Sequence, residues 1–215
     1  NARLDAFSLL GMEGPALQSP DQGFPAFVVA GYQELGENVN LPTVRRTGTF
    51  HFSDVLSLQR GRHHFKLGGE VRNYRQDGFQ HLFARGKVKF TGAFTGDALA
   101  DLLLGFPTLS ILGTNNNPQA LRSWAYNFFL GDDWQVGSNL TLNVGIRYEV
   151  NTPPVDIQDR LTIFDPVEQS LLPVGLGGVP RSGIQSDLNN WAPRLGLAWD
   201  PLRSGDLVIR AGYGI

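Results

Sequence analysis

The sequence predicts an all-β protein: an antiparallel, up-and-down transmembrane β-barrel segment, with about eight strands of a larger barrel and an open sheet if isolated. Three observations carry that expectation. Hydrophobic and polar residues alternate over stretches of about eleven residues, which suits a tilted membrane-crossing strand better than the roughly 5 to 6 residues of a soluble one. Short connections between these stretches alternate with long ones. All 4 tryptophans stand near strand ends.

Composition narrows the function classes. The 26 glycines, 13 prolines, 14 Phe, 5 Tyr and 4 Trp suit strands and turns better than a helical bundle. A net charge of -2 and a pI near 6.1 give no broad positive field, so nucleic acid is not an expected partner. Cysteine is absent, which removes disulfide frameworks and thiolate metal sites. No apolar run approaches the roughly 20 residues of a spanning helix, so a membrane location requires strands. The chain opens at Asn1 without a basic-then-apolar leader, and the alternation of Leu207–Ile215 stops in mid-pattern. Both features lead us to expect a fragment: residues 1–215 as a partial outer-membrane barrel domain, with 1–43 an outer loop and strand region and 44–215 strands and loops.

The elements follow from period-2 alternation. Phe50, Phe52, Leu56 and Leu58 oppose His51, Ser53, Ser57 and Gln59; after Gly61 and Arg62, Phe65, Leu67, Gly69 and Val71 oppose Lys66, Gly68, Glu70 and Arg72. Further strands are expected at Lys87–Thr95 and Phe106–Thr114, joined by Gly96–Gly105 with a short helical turn from Asp97. Trp124, Tyr126, Phe128, Leu130, Trp134 and Val136 then face one way, and Ser123, Ala125, Asn127, Gly131, Asp133 and Gln135 the other. Gly137, Ser138 and Asn139 form a tight turn into Leu140–Val150, the clearest alternation in the chain. A third hairpin joins Leu195, Leu197 and Trp199 to Leu207, Ile209, Ala211 and Tyr213 across Pro201–Asp206.

Connections at 61–62, 137–139 and 201–205 are short, whereas Asn115–Ala120 and Asn151–Asn190 are long and fall at the opposite strand ends. Outer-membrane barrels have that asymmetry, with short periplasmic turns, and aromatic girdles where the tryptophans fall. The expected location is the bacterial outer membrane, with its lipid as a partner. A soluble or surface-exposed β-rich binding or adhesion module is the alternative, since alternation also separates a core face from a wet one. Asp54 and Asp132 occupy the apolar register, and a β-bulge at each is the expected remedy.

The polar register supplies the candidate site. Lys66, Glu70, Arg72, Asn143, Arg147, Glu149, Arg194 and Arg210 are expected to face a lumen or a plug. Other chemistry finds little support. His51, His63, His64 and His81 lack metal-site spacing, with His51 expected opposite Arg72. Asp132 and Asp133 point to opposite faces of a strand, so they cannot share a proton. Gly175–Gly178 lacks the context of a phosphate loop, Asp156, Asp159, Asp165 and Glu168 match no calcium loop, and the acceptor-like Asn139-Leu-Thr141 lies at a turn. We expect no catalytic residues, no metal and no cofactor.

Several blocks, in order, resemble a known family: Phe52-Ser-Asp-Val-Leu-Ser-Leu-Gln-Arg-Gly-Arg-His-His-Phe-Lys-Leu-Gly-Gly-Glu-Val-Arg72, Ala100-Asp-Leu-Leu-Leu-Gly-Phe-Pro107, Asp132-Asp-Trp-Gln-Val136 with Leu140-Thr-Leu-Asn-Val-Gly-Ile-Arg-Tyr-Glu149, and Ala192-Pro-Arg-Leu-Gly-Leu-Ala-Trp199 with Ile209-Arg-Ala-Gly-Tyr-Gly214. Together they resemble the barrel of TonB-dependent outer-membrane transporters, most closely the Oar-like branch, over about residues 24–215. The resemblance implies a barrel of about 22 strands, an N-terminal plug and a TonB complex as partners, and import of an unknown ligand driven by the inner-membrane proton gradient. Neither plug nor coupling motif stands in this sequence, and no ligand-contact residue transfers from the resemblance. A passive porin-like barrel is the related alternative.

Overall fold

The computed structural model describes residues 6–12, 17–114 and 116–215. In chain order the elements are α1 (Ala6–Leu10), β1 (Ala26–Val29), β2 (Thr43–Arg60), β3 (His63–Gln80), β4 (Lys87–Phe90), α2 (Ala98–Leu104), β5 (Leu109–Ile111), β6 (Gln119–Gly137), β7 (Leu140–Asn151), β8 (Val155–Asp156), β9 (Thr162–Asp165), β10 (Ser170–Pro173), β11 (Trp191–Trp199) and β12 (Ile209–Gly214). They divide into two units, Asn1–Arg46 with Asp77–Gln119 and Thr47–Gln76 with Ala120–Ile215. Asn115, the first residue of one expected loop, lies outside the described residues.

In the first unit, β1 runs parallel to β4 and β4 pairs antiparallel with β5, giving a small mixed sheet. Helix α2 is set by its ends. The Asp97 side chain accepts from the Ala100 amide at 2.9 Å, and Gly105 closes the helix in the left-handed region at φ 73°. The core is Val29, Val88, Phe90 and Ala98, with Met12, Phe27 and Leu102 packed against it. Asp101 is fully buried in this helix, accepting from the Thr95 amide at 2.9 Å and the Thr95 hydroxyl at 2.7 Å. Burial pushes that carboxyl up, yet the hydrogen bonds from Thr95, Phe94 and Gly92 outweigh it and hold the group below its usual range.

Two expected crossing strands are corrected here. Of Lys87–Thr95 and Phe106–Thr114, only Lys87–Phe90 and Leu109–Ile111 are extended, and both belong to the small sheet. Gly92 and Gly96 turn the chain at φ 82° and 87°, and Pro107 cannot donate to a ladder, so neither stretch reaches membrane-crossing length.

The main architecture is a seven-stranded sheet in the order β12-β11-β7-β6-β3-β2, with β8 added to β6. β2 and β3, 18 residues each, meet at Gly61–Arg62, where Gly61 takes φ 61°. β6 and β7 pair without a break from Ala125↔Asn151 to Gln135↔Thr141; the register then shifts before Gly137↔Leu140, and Ser138–Asn139 turn the chain. β11 pairs β7 from Trp191↔Tyr148 to Trp199↔Leu140, and β12 from Trp199↔Ile209 to Arg194↔Gly214. β2 and β12 are edges, so the sheet is open, as the fold class anticipated. Two short connections clamp each other, Asn139 Nδ2 donating to the Asp200 carbonyl at 3.0 Å and the Asp200 amide to the Asn139 carbonyl at 2.8 Å.

The stretch expected as one long loop, 151–190, is locally built. It contains β8 and the β9–β10 hairpin, paired from Asp165↔Ser170 to Thr162↔Pro173. Its anchor is Asp156, 1% exposed, which takes a two-pronged contact from Arg160 at 2.8 and 2.7 Å and also accepts from the amides of Ala120 and Gln158. Asp156 therefore fastens the start of the loop to the top of β6, where it pairs Leu121.

Candidate functional site

The ladder registers sort the long sheet into two faces. One carries Leu142, Val144, Ile146 and Tyr148 of β7 beside Leu130 and Phe128 of β6 and Leu197, Leu195 and Trp191 of β11. Most of these side chains are exposed, Leu130, Phe128, Val144, Ile146, Leu195 and Trp191 among them; Phe52 of β2 is 73% exposed, and Phe50 and Leu56 are exposed with it. A face this apolar and this bare needs lipid against it. A crevice of about 420 Å³ lies among Leu142, Val144, Leu195, Leu197 and Tyr213 on that face, and an acyl chain suits its lining better than a polar ligand.

Aromatics bound the apolar band. At the short-turn end stand Trp134 and Trp199, and at the other end Tyr148 against Trp191 with ring centroids 4.2 Å apart, and Trp124 stacked on Tyr126 at 6.0 Å. Asp132 lies on this face as the sequence indicated, but no bulge relieves it: the β6–β7 register runs unbroken through Asp132↔Val144. A partner supplies the remedy instead. His63 Nδ1 meets Asp132 Oδ2 at 2.6 Å, and the imidazole stacks on Phe65 and Trp134 at centroid distances of 5.4 and 5.3 Å.

The opposite face is polar, and its side chains join across strands. The first ladder runs from His51 on β2 to Glu70 (3.1 Å), which also accepts from Arg72 (2.8 Å) and from Asn127 on β6 (3.2 Å). Asn127 stands opposite Glu149 on β7, itself paired with Arg147 at 2.6 Å. The second ladder, nearer the short turns, links Ser57 to His64 (2.8 Å), His64 to Asp133 (3.6 Å) and Asp133 to Asn143 (2.5 Å). The second ladder is bonded across β2, β3, β6 and β7; the first is bonded across β2, β3 and β6, and Glu149 faces it from β7. Most of the polar groups on this face thus find a partner on it.

All eight residues taken from the polar register fall on this one face. Glu70, Arg72, Arg147, Glu149 and Asn143 join the ladders, His51 bonding Glu70 rather than Arg72; Lys66 lies between the ladders on β3, and Arg194 and Arg210 project from β11 and β12 at Gly145 and Ala198. Ser57, His64, Asn127 and Asp133 belong there too and were not singled out. No turn in the sequence sets β3 against β6, so the facing of His63-His64 with Asp132-Asp133, one pair on each face, emerges only from strand pairing.

The remaining candidates resolve locally. His81 pairs Asp21 at 2.6 Å, so every histidine meets a carboxylate, and no group of three metal-ligating side chains occurs among the described residues. Asp156 and Asp159 are bound by Arg160 and Arg181, while Asp165 accepts from the amides of Val167 and Glu168, so the loop acids do not converge on a cation.

No curated protein and no solved structure matches this chain. The family model described as outer membrane beta barrel domain matches residues 1–215. With its lipid-seeking face, aromatic girdles and wet opposite face, the chain belongs to the outer membrane beta barrel domain family and lies in the bacterial outer membrane.

Proposed function

We propose that this chain forms part of the barrel wall of a TonB-dependent receptor that imports a ligand across the outer membrane, with the polar face lining the lumen. The observation that carries the reading is the inner face itself: two polar ladders joining neighbouring strands, with Lys66, Arg194 and Arg210 left projecting between and beside them. A lumen wall that engages an interior domain or a solute presents such fixed, mixed charge. The ordered blocks shared with TonB-dependent barrels favour that class over a passive pore.

The test is the conductance of the full-length protein in a planar bilayer. An energy-coupled receptor stays closed in the native state and conducts only after urea displaces its interior domain. Steady open-channel current without urea overturns the proposal and assigns a passive porin-like barrel.

A further inference from the structure

We propose that the polar face carries an oxyanion site between Lys66 and Arg194, over a floor of Gly131 and Gly145, which takes small carboxylate- or phosphate-bearing solutes. The inference rests on reading this face as the lumen wall and names the ligand class of that wall.

One transverse row defines the site. Gly131 pairs Gly145, and Gly145 pairs Arg194. On the other side, the Lys66 carbonyl lies 4.0 Å from where a Cβ on Gly131 would stand. Four adjacent strands thus read Lys66, Gly131, Gly145, Arg194. At about 4.8 Å per strand, the two cations start about 14 Å apart with two bare backbones between them. Their long side chains can lean inward over that gap.

Two crevices, about 290 and 250 Å³, share Gly131, Gly145 and Arg194 as lining. Phe129 and Arg147 bound the first, and Asp133 and Asn143 the second. Charge selects the occupant. Arg147 is neutralised by Glu149, and Asp133 is held by Asn143 and His64. Among the described residues, neither Lys66 nor Arg194 has a carboxylate partner. Arg194 lines both crevices and Lys66, on the strand beyond Gly131, lines neither; a guanidinium fork with an ammonium able to reach in from β3 fits the oxygens of a carboxylate or phosphate, and cation-lined walls are how pores favour anions.

Glycine is the second, independent sign. Gly131 does not sit in the left-handed region, and a Cβ there would meet nothing closer than the Val144 carbonyl at 3.8 Å. Neither backbone conformation nor packing inside the sheet demands glycine at 131, where it weakens a strand. The space it leaves serves something lying on the sheet. Gly145 is tighter, 3.3 Å from the Leu130 carbonyl, so part of its reason is internal.

The test uses the full-length protein in detergent and a water-soluble arginine reagent, hydroxyphenylglyoxal, with modification read by peptide mass spectrometry. Citrate and pyrophosphate, each against chloride at matched ionic strength, are the probes; whichever protects better identifies carboxylate or phosphate. The expected result is a several-fold slower modification of Arg194 and an unchanged rate at Arg203 in the short-turn loop. Lys66→Gln and Gly131→Leu remove the protection, with the folding of each variant checked by circular dichroism. Equal rates with and without either anion, or an Arg194 that never reacts in the folded protein, overturn the site. Those results leave the conductance outcome untouched. Modification of Arg194 only by a lipid-soluble reagent would instead reverse the faces and remove both proposals.

Discussion

At the scale of single residues, carboxylates decide where the chain is fastened. Asp156 is held well below its ordinary value of 3.8, first by Arg160 and then by the amides of Ala120, Gln158 and Arg160, which together outweigh its burial. Its folded value lies under its unfolded one, so its contribution is complete above about pH 4 and is lost as pH falls toward the folded value. Asp156→Asn should loosen the segment 157–190 at neutral pH, removing about 3 kcal/mol of local stability. Limited proteolysis checks it: new cuts in that segment at pH 7, absent from the parent, are expected, and an unchanged digest would contradict the anchor. His63 and Asp132 make a second case. His63→Phe leaves Asp132 facing lipid without a partner and should cost about 2 kcal/mol, whereas His63→Phe with Asp132→Leu should be close to neutral. Urea midpoints in vesicles measure both; equal losses in the single and double variants would show that the pair does not compensate. Asp132 also marks where sequence reading stopped. Its face was legible from alternation, but its partner sits 69 residues away and depends on a register that only strand pairing sets.

At the scale of elements, the long hairpins were legible because each carries its own evidence. Alternation marks the faces, and Gly61-Arg62 or Ser138-Asn139 marks the reversal. The region between β3 and β6 was not, since Lys87–Phe90 and Leu109–Ile111 alternate like the others and only the positive-φ glycines and Pro107 around them shorten the strands. Within the long sheet, glycines of like appearance have unlike reasons. A Cβ on Gly68 would stand 2.5 Å from the Phe129 ring and 3.0 Å from the Asp54 carbonyl, whereas one on Gly131 meets only ordinary contacts. Gly68→Ala should therefore destabilise the folded barrel by about 1–3 kcal/mol. Gly131→Ala should be neutral, or stabilising by about 0.5 kcal/mol. Denaturation of the two variants side by side decides it, and a Gly68→Ala variant as stable as the parent would mean that the Phe129 ring gives way without cost.

At the scale of the whole molecule, the aromatic girdles fix where the membrane sits. Trp191 and Trp199 end the same strand on the same face, eight residues apart, which is about 26 Å along the chain. Tilted at about 40°, that strand raises one tryptophan about 20 Å above the other, close to the roughly 25 Å apolar band of outer-membrane barrels. The apolar side chains between them, Leu195 and Leu197, then fall in the hydrocarbon, and the second crossing agrees: Trp134 pairs Leu142 near one limit while Tyr148 marks the other. Each girdle should lie about 10 Å from the bilayer centre. Full-length variants that keep a single tryptophan at 191 or at 199, reconstituted with lipids brominated at graded depths, test this through fluorescence quenching. Quenching should peak with bromines near the carbonyl end of the acyl chains for both, and from opposite leaflets, so that a quencher confined to the outer leaflet reaches Trp191 and spares Trp199. If both respond to the same leaflet, the strand does not cross the membrane as its alternation and pairing require, and the lumen assignment of Lys66, Glu70, Arg147 and Arg194 falls with it.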